Sequence, residues 1–528
     1  MSEPHRTSYD EVPYDSWPFP QSHPDRLATL ATLFGMTPTP IERCRVLELG
    51  CASGGNLIPM ALTLPNSHFI GIDQSARQIA DGQATVQALG LANVELQQLS
   101  ITDIEPTFGQ FDYIIAHGVY SWVPDAVQDK ILQICAQNLA PDGVAYVSYN
   151  TYPGWRMRGM IRDMMLYHSR LFEVAMQVPQ ARGLLDFLAQ SVPTENNPYG
   201  ILLKQELEML RHQSDSYLFH DHLEEVNEPI YFYQFIERAA AHRLQYLGEA
   251  EFSTMLAGNF APQVAETLRK VAPDIIRMEQ YMDFLRNRTF RQTLLVQQDQ
   301  ALKRDLNFQS VTGFYVASPA KPMAAKPDIY STAMEQFRAP NGATLNTANP
   351  ITKAAMTILN EIWPQAMAFA ELRSTAHSRL DPLYPLRIQD AATVALDTQV
   401  LGAELLQCYT VNLVELRVGL PAFTLQISER PLASPLARLQ AKHRPQVTNL
   451  RHETVGLNEF NRQLLPLLDG SRDRAALVEA LSGLVAEGVL VAEQQGKPVK
   501  DPTTLKELLT QTLDYSLPEL TRSALLLH

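Results

Sequence analysis

Cysteine is scarce in this chain. Its four cysteines, Cys44, Cys51, Cys135 and Cys408, form no C-x-x-C pair. That spacing indicates neither a zinc site nor a disulfide framework, and small buried thiols in a reducing cytoplasm are expected instead. Positive charge is also short: 43 Lys and Arg against 57 Asp and Glu leave a net charge of -14. Sequence-independent nucleic-acid binding needs a basic face, so no nucleic-acid partner is expected. No apolar run approaches the roughly 20 residues of a membrane span. The start, Met1-Ser2-Glu3-Pro4-His5, lacks a signal-peptide core. A cytoplasmic protein is therefore expected. His220 and His222 are two apart and share no helix face, and no third ligand is placed by spacing, so no metal is expected.

What is present begins with a glycine turn. Val46-Leu47-Glu48-Leu49 reads as a buried strand running into Gly50-Cys51-Ala52-Ser53-Gly54-Gly55-Asn56. Gly50 and Gly54 permit positive φ and close approach of backbone to a ligand, and the helix that follows presents free N–H groups. A second apolar run, His68 to Ile72, ends in Asp73, placed to accept the hydroxyls of a ribose. Two cofactor classes fit. A dinucleotide prefers G-x-G-x-x-G, which is missing here, and Glu48 would repel a pyrophosphate. The sulfonium and ammonium of S-adenosylmethionine tolerate that carboxylate.

Further strand patterns follow at Val94–Ser100, Phe111–Ala116 and Val144–Tyr149, with helical patterns between them. The repeating β-α order predicts a parallel, doubly wound sheet. Ligands collect beyond the carboxyl ends of such strands. His117 and Tyr120 after the fourth strand, and Tyr149 and Asn150 at the end of the fifth, are therefore the catalytic candidates. The fourth strand lacks the Asn/Asp-Pro-Pro-Tyr/Phe segment that holds a base or amide nitrogen in the DNA and glutamine amino-methyltransferases.

Glu48-x-Gly50-x-Ala52-x-Gly54 resembles motif I of the class I S-adenosylmethionine-dependent methyltransferases. The resemblance narrows with Tyr9-Asp10-Glu11-Val12-Pro13-Tyr14, Ser22-His23-Pro24-Asp25-Arg26-Leu27, His117-Gly118-Val119-Tyr120-Ser121-Trp122-Val123 and Tyr149-Asn150-Thr151-Tyr152-Pro153-Gly154-Trp155. Together these resemble bacterial methyltransferases carrying a methyltransferase regulatory domain, a group that includes protein-lysine methyltransferases acting on rickettsial outer-membrane proteins. The resemblance implies S-adenosylmethionine as cofactor. Its contacts would be Tyr14, Glu48, Gly50, Cys51, Ala52, Gly54, Asn56, Asp73, Gln74, Ser100, Ile101, Asp103, His117 and Gly118, with Trp122, Tyr152 and Trp155 facing the substrate. It implies a protein-lysine acceptor. A small-molecule acceptor under a helical lid, or a non-enzymatic cofactor-binding regulator, are the alternatives.

The expected architecture is α/β: a Rossmann-like class I methyltransferase sheet of seven strands, a helical insertion, and winged-helix-like α+β modules at the C-terminal end. The expected division is 1–40 arm and helix, 41–170 plus 288–320 cofactor core, 171–287 helical regulatory insertion, 321–440 middle module and 441–528 C-terminal module. Strands at Thr289–Val296 and Gly313–Ala317 should complete the sheet, with Arg286, Arg288 and Arg291 as polar knobs. Neither winged-helix unit shows a basic recognition stripe, so protein docking or a homodimer is expected of them.

Overall fold

A computed structural model describes residues 16–381, 390–494, 497–499 and 501–527. Its centre is a seven-stranded sheet: β1 (Arg45–Leu49), β2 (His68–Asp73), β3 (Val94–Gln98), β4 (Phe111–Ala116), β5 (Leu139–Asn150), β6 (Leu244–Glu249) and β7 (Phe290–Gln297). The spatial order is β3-β2-β1-β4-β5-β7-β6. β1 to β5 are parallel. β7 runs antiparallel to both β5 and β6.

The strands read as continuous apolar runs because both faces are covered. Alternate residues point to opposite sides. Val46, Phe69, Tyr113, Ile115, Val144 and Tyr146 pack with the helices Pro24–Leu33 and Leu57–Thr63. Leu47, Leu49, Ile72, Ile114, Ala145 and Val147 pack on the other side with Ile131, Leu132 and Cys135 of the helix Asp125–Gln137. Each Val, Leu, Ile or Phe side chain among them, fully buried, contributes roughly 1.5–3 kcal/mol. The helix Ala76–Leu89 starts where the Ser75 hydroxyl accepts from Gln78 N–H and ends on Gly90 at φ 64°. That is the pairing of polar N-cap and left-handed glycine that favours a clean helix.

The sheet departs from expectation at its far edge. The insertion is not purely helical: it contains β6, the outermost strand, which reaches the sheet by pairing with β7. The strand Tyr315–Ala317 does not join the sheet. It is the centre of a separate three-stranded antiparallel sheet with Met367–Ala368 and Glu415–Arg417.

Arg291 is not a surface knob. Its side chain is fully buried. Its guanidinium reaches Glu249 Oε1 at 2.7 Å, Glu279 Oε2 at 3.0 Å and both Asp283 oxygens at 2.8 Å, over the Phe232 ring. Arg288 adds a bond to Glu249 Oε2 at 2.9 Å. Three carboxylates share two guanidiniums. The pKa of Glu249, which holds both, is lowered although burial opposes this, whereas burial raises Glu279 to about 7.

The helix Trp155–Ser169, placed by sequence in the cofactor core, instead packs with the insertion helices Val174–Ser191 and Pro198–Arg211 in one bundle around Ile161, Leu185 and Leu203. The middle region carries an antiparallel hairpin, Glu335–Arg338 with Thr344–Thr347, turning through Asn341-Gly342, and the helices Pro350–Ile362, Phe369–Leu380 and Ala391–Thr410. The last region packs the helices Pro435–Ala441, Arg474–Ala486 and Pro502–Arg522 around Leu464, Leu477 and Leu513. Among the described residues, no helix is long and apolar enough to cross a membrane.

Candidate active site

The glycine turn is built by backbone constraint. Gly50 and Cys51 N–H both bond to the Ile72 carbonyl at 2.9 Å. Gly50 sits at φ 73°, and an added Cβ would lie 2.5 Å from Val119 Cγ2. Only glycine fits there on both counts. Gly54 has φ 74°, and Ala52 takes the left-handed region at φ 50°. Ala52 is held by its N–H donating to Asp73 Oδ2 at 2.9 Å, while Asp73 Oδ1 accepts from Ser75 N–H at 2.9 Å. Asp73 thus lies against the turn that the sequence pairs it with.

Glu48 is 3% exposed. Its Oε1 accepts from Asn56 Nδ2 at 2.7 Å, and Oε2 has no partner among the described residues. Burial pushes the Glu48 carboxyl up to about 8. An unpartnered buried carboxyl oxygen beside a left-handed glycine turn suits a cation, whose field would draw the carboxyl back to its charged form. It does not suit a pyrophosphate. The site therefore fits S-adenosylmethionine, with Gly50, Cys51, Ala52 and Gly54 as the close-approach backbone.

Beyond the β4 end, Phe19 stacks on His117 with centroids 3.6 Å apart. His117 Nδ1 lies 2.8 Å from the Tyr146 hydroxyl, and burial lowers its pKa to about 3, so the ring is neutral. Gly118 N–H donates to Ser148 Oγ at 2.8 Å. Ser16 Oγ accepts from Gly55 N–H at 2.7 Å, and Phe19 N–H donates to Asn56 Oδ1 at 2.8 Å. The arm therefore touches both the glycine turn and His117. Tyr14 lies outside the described residues.

Other candidates scatter. Gln74 Nε2 donates to Ser100 Oγ at 2.9 Å, joining the ends of β2 and β3. Ile101 is buried behind them and Asp103 is exposed. Two catalytic candidates lie deeper. Tyr120 and Tyr149 are 0% and 1% exposed, in the core beneath the strand ends. Tyr149 stacks on Phe235 at 4.1 Å and bonds Thr293 Oγ1, and Tyr120 meets Phe235 edge-on at 5.2 Å. The Tyr149 hydroxyl is thus satisfied within the core, whereas the Tyr120 hydroxyl has no partner among the described residues. Asn150 is buried: its N–H donates to Ser121 Oγ, and its Nδ2 has no partner among the described residues. Trp155 is buried and meets the half-exposed Trp122 edge-on at 6.3 Å, and Tyr152 lies beside Tyr231 at 5.2 Å.

Sequence reasoning missed Tyr146, Ser22 and His452. Tyr146 reads simply as a core position of β5. Ser22 Oγ accepts from Asn56 Nδ2 at 3.0 Å, and His452 Nε2 lies 2.8 Å from Asn56 Oδ1. No local signal links residues so far apart.

The sheet order, the glycine turn and the acidic strand ends define a class I S-adenosylmethionine-dependent methyltransferase. Three family models match: a methyltransferase domain over 41–193, the "Predicted methyltransferase regulatory domain" over 214–297 and the "PKMT, C-terminal winged helix domain" over 429–525. The chain is 40% identical to an uncharacterised protein of Rickettsia prowazekii, RP789, over 98% of this chain and 93% of that protein. The structure of PKMT2 from Rickettsia typhi superposes with a TM-score of 0.86 and 32% identity, covering 98% of this chain and all of that one, and PKMT2 has also been solved in complex with AdoHcy. The chain belongs to this family of methyltransferases with a regulatory domain and a PKMT-type winged helix.

Proposed function

We propose that this methyltransferase acts on the side-chain amine of a lysine in a protein. The likeness to PKMT2 along the whole chain is the observation that carries this reading. The aromatic surface beside the β5 end supports it: Tyr231, Tyr233 and the 47% exposed Phe284 offer ring faces to an alkylammonium chain, while one face of Tyr152 is taken by the Arg156 guanidinium 3.9 Å from its centroid. Trp122, Tyr152 and Trp155 would line the acceptor's approach.

In this reading Glu48 carries the counter-charge for the cofactor and Asp73 takes the ribose. Gln74, Ser100, Ile101 and Asp103 flank the adenine, and Asn56, His117 and Gly118 close the remaining wall. When bound, S-adenosylmethionine supplies an electrophilic methyl for in-line displacement. The chain's own work is alignment and exclusion of water. A free lysine ammonium titrates near about 10.4 and must lose a proton before it can attack. His117, depressed to about 3, is too weak a base to take that proton at neutral pH. We assign it instead to accept a hydrogen bond from the neutral amine, whose own pKa burial lowers. Asn150, with its spare amide N–H, would orient the same centre.

A cytoplasmic location completes the reading. So does a homodimer: Tyr167 and Phe187 on two helices and Leu171 in the turn between them are 78%, 63% and 71% exposed, a poor arrangement for a monomer. Light scattering of the pure protein tests that point.

The deciding experiment is transfer of labelled methyl from S-adenosylmethionine into a cell extract, split into protein and small-molecule fractions. Label on protein, lost in Gly50→Arg and mapped to lysine, is expected. Label only among small molecules would overturn the lysine reading.

A further inference from the structure

Asn56 is a four-way junction. Its Oδ1 accepts from Phe19 N–H at 2.8 Å and lies 2.8 Å from His452 Nε2, and its Nδ2 donates to Ser22 Oγ at 3.0 Å and Glu48 Oε1 at 2.7 Å. Every bond the carboxamide can make is made. The arm contributes two partners, β1 one, and the C-terminal winged-helix region the last, 396 positions away. Because Asn56 Oδ1 can only accept, His452 Nε2 must carry the proton. Burial holds the ring neutral, and Nδ1 has no partner among the described residues.

The His452 loop is built to present this one nitrogen. Asn449 Oδ1 accepts from Arg451 N–H and Glu453 N–H, both at 2.9 Å, and His452 takes φ 63°. Arg451 anchors the loop to the middle region through Glu415 and the Pro364 carbonyl. The His23 ring lies 5.0 Å from His452, and Arg444 stacks on Trp17 at 4.3 Å. His452, Asn56 and Glu48 are each 4% exposed or less, so water does not compete for the chain of bonds.

We propose that His452 is a positioning residue for the cofactor site: the C-terminal winged helix, through Asn56, fixes the rotamer of Glu48 and with it the free Oε2 that faces the cofactor's cationic groups. This rests on the reading of Glu48 as a cofactor contact. Docking of the C-terminal region and binding of the cofactor are then linked, and each must strengthen the other by the same factor. A partner that lifts the winged helix away would weaken cofactor binding without touching the glycine turn.

The test is a double-mutant cycle in the full-length chain, read as the Kd for S-adenosylhomocysteine, which keeps the ammonium. His452→Leu removes the donor while keeping apolar bulk and should raise Kd about 5- to 10-fold, the worth of one buried hydrogen bond. His452→Gln can still donate and should restore most of the affinity. In a Glu48→Gln background, His452→Leu should cost nothing further. The proposal is overturned if His452→Leu binds as tightly as the parent. It is equally overturned if its loss adds fully to that of Glu48→Gln, or if the Gln and Leu variants are equally weak, since each marks a docking role that does not act through Glu48. Failure of the unmodified protein to bind S-adenosylhomocysteine would instead strike at the reading of the glycine turn and leave no affinity to compare.

Discussion

Phe19 lies face to face on His117, with 26° between the rings, so an arm that precedes the whole sheet covers the group at the end of its fourth strand. Burial is the sole cause of the depressed His117 pKa. Phe19→Ala should therefore return it toward 6.5 and forfeit about 0.5–1.5 kcal/mol of ring stacking in addition to the apolar area the ring buries. Histidine proton shifts followed against pH read the first effect, and an unmoved titration would show that the sheet, not the arm, buries the ring.

Gly55 meets the same arm from the other side. A Cβ there would stand 2.3 Å from the Ser16 carbonyl oxygen, and that contact is with backbone that cannot rotate aside. Gly55→Ala should expel the 16–19 segment while leaving β1 intact. Limited proteolysis checks this: new cleavage near Ser16 with an unchanged core fragment is expected.

Asp73 holds Ala52 N–H and Ser75 N–H with separate oxygens. Asp73→Ala should loosen the turn as well as remove the ribose partner. Charged hydrogen bonds are worth about 1.5–3 kcal/mol, so cofactor affinity should fall roughly 10- to 150-fold. Asp73→Asn keeps one acceptor and should lose less. Calorimetric titration separates the two.

Removing the Arg291 guanidinium would strand Glu249, Glu279 and Asp283 without their shared partner. Arg291→Met should destabilise by about 3–5 kcal/mol, or block folding. Arg291→Lys should rescue little, because an ammonium cannot span three carboxylates. Urea unfolding reads both, and a Met variant as stable as the parent would mean the carboxylates are protonated.

Four buried rings act on the acid side, His452 among them, lowered well below its usual value by burial. His23, His117 and His222 are lowered to about 3, each mainly by desolvation. Their folded pKa lies below the unfolded 6.5, so the unfolded chain binds more protons in between. The contribution of these rings should thus be complete above pH 6.5 and be lost toward pH 3, by up to about 1.4 kcal/mol per unit for each ring, while the raised carboxyls of Glu48 and Glu279 contribute with the opposite sign as pH rises. His222 has no hydrogen-bond partner among the described residues on either nitrogen. His222→Leu should flatten that slope by one ring and leave stability at pH 7 no lower.

The parts of this molecule written in local pattern were legible in its sequence. Five β-α units, the glycine turn and Asp73 follow from spacing. Residue order places Tyr120 and Tyr149 at strand ends, but their burial against the helix that brings Phe235 beneath them is not written in local pattern. Arg291 reads as a surface charge until β6, more than 40 residues upstream, supplies Glu249. Asn56 is visible as a turn residue, but His452 is not.

The far edge of the sheet has a consequence for synthesis on the ribosome. β5 leaves the exit tunnel with its β7 side bare, and Phe290, the partner of Asn150, follows 140 residues later. At about 5–20 residues per second the nascent chain carries an open, apolar strand edge for roughly 7–28 s. Over that interval the insertion bundle can form, while Glu249, Glu279 and Asp283 still await Arg291. The cofactor half cannot close early as an independent unit: a ribosome stalled before codon 291 would hold a five-stranded sheet and three carboxylates lacking their principal counter-ion.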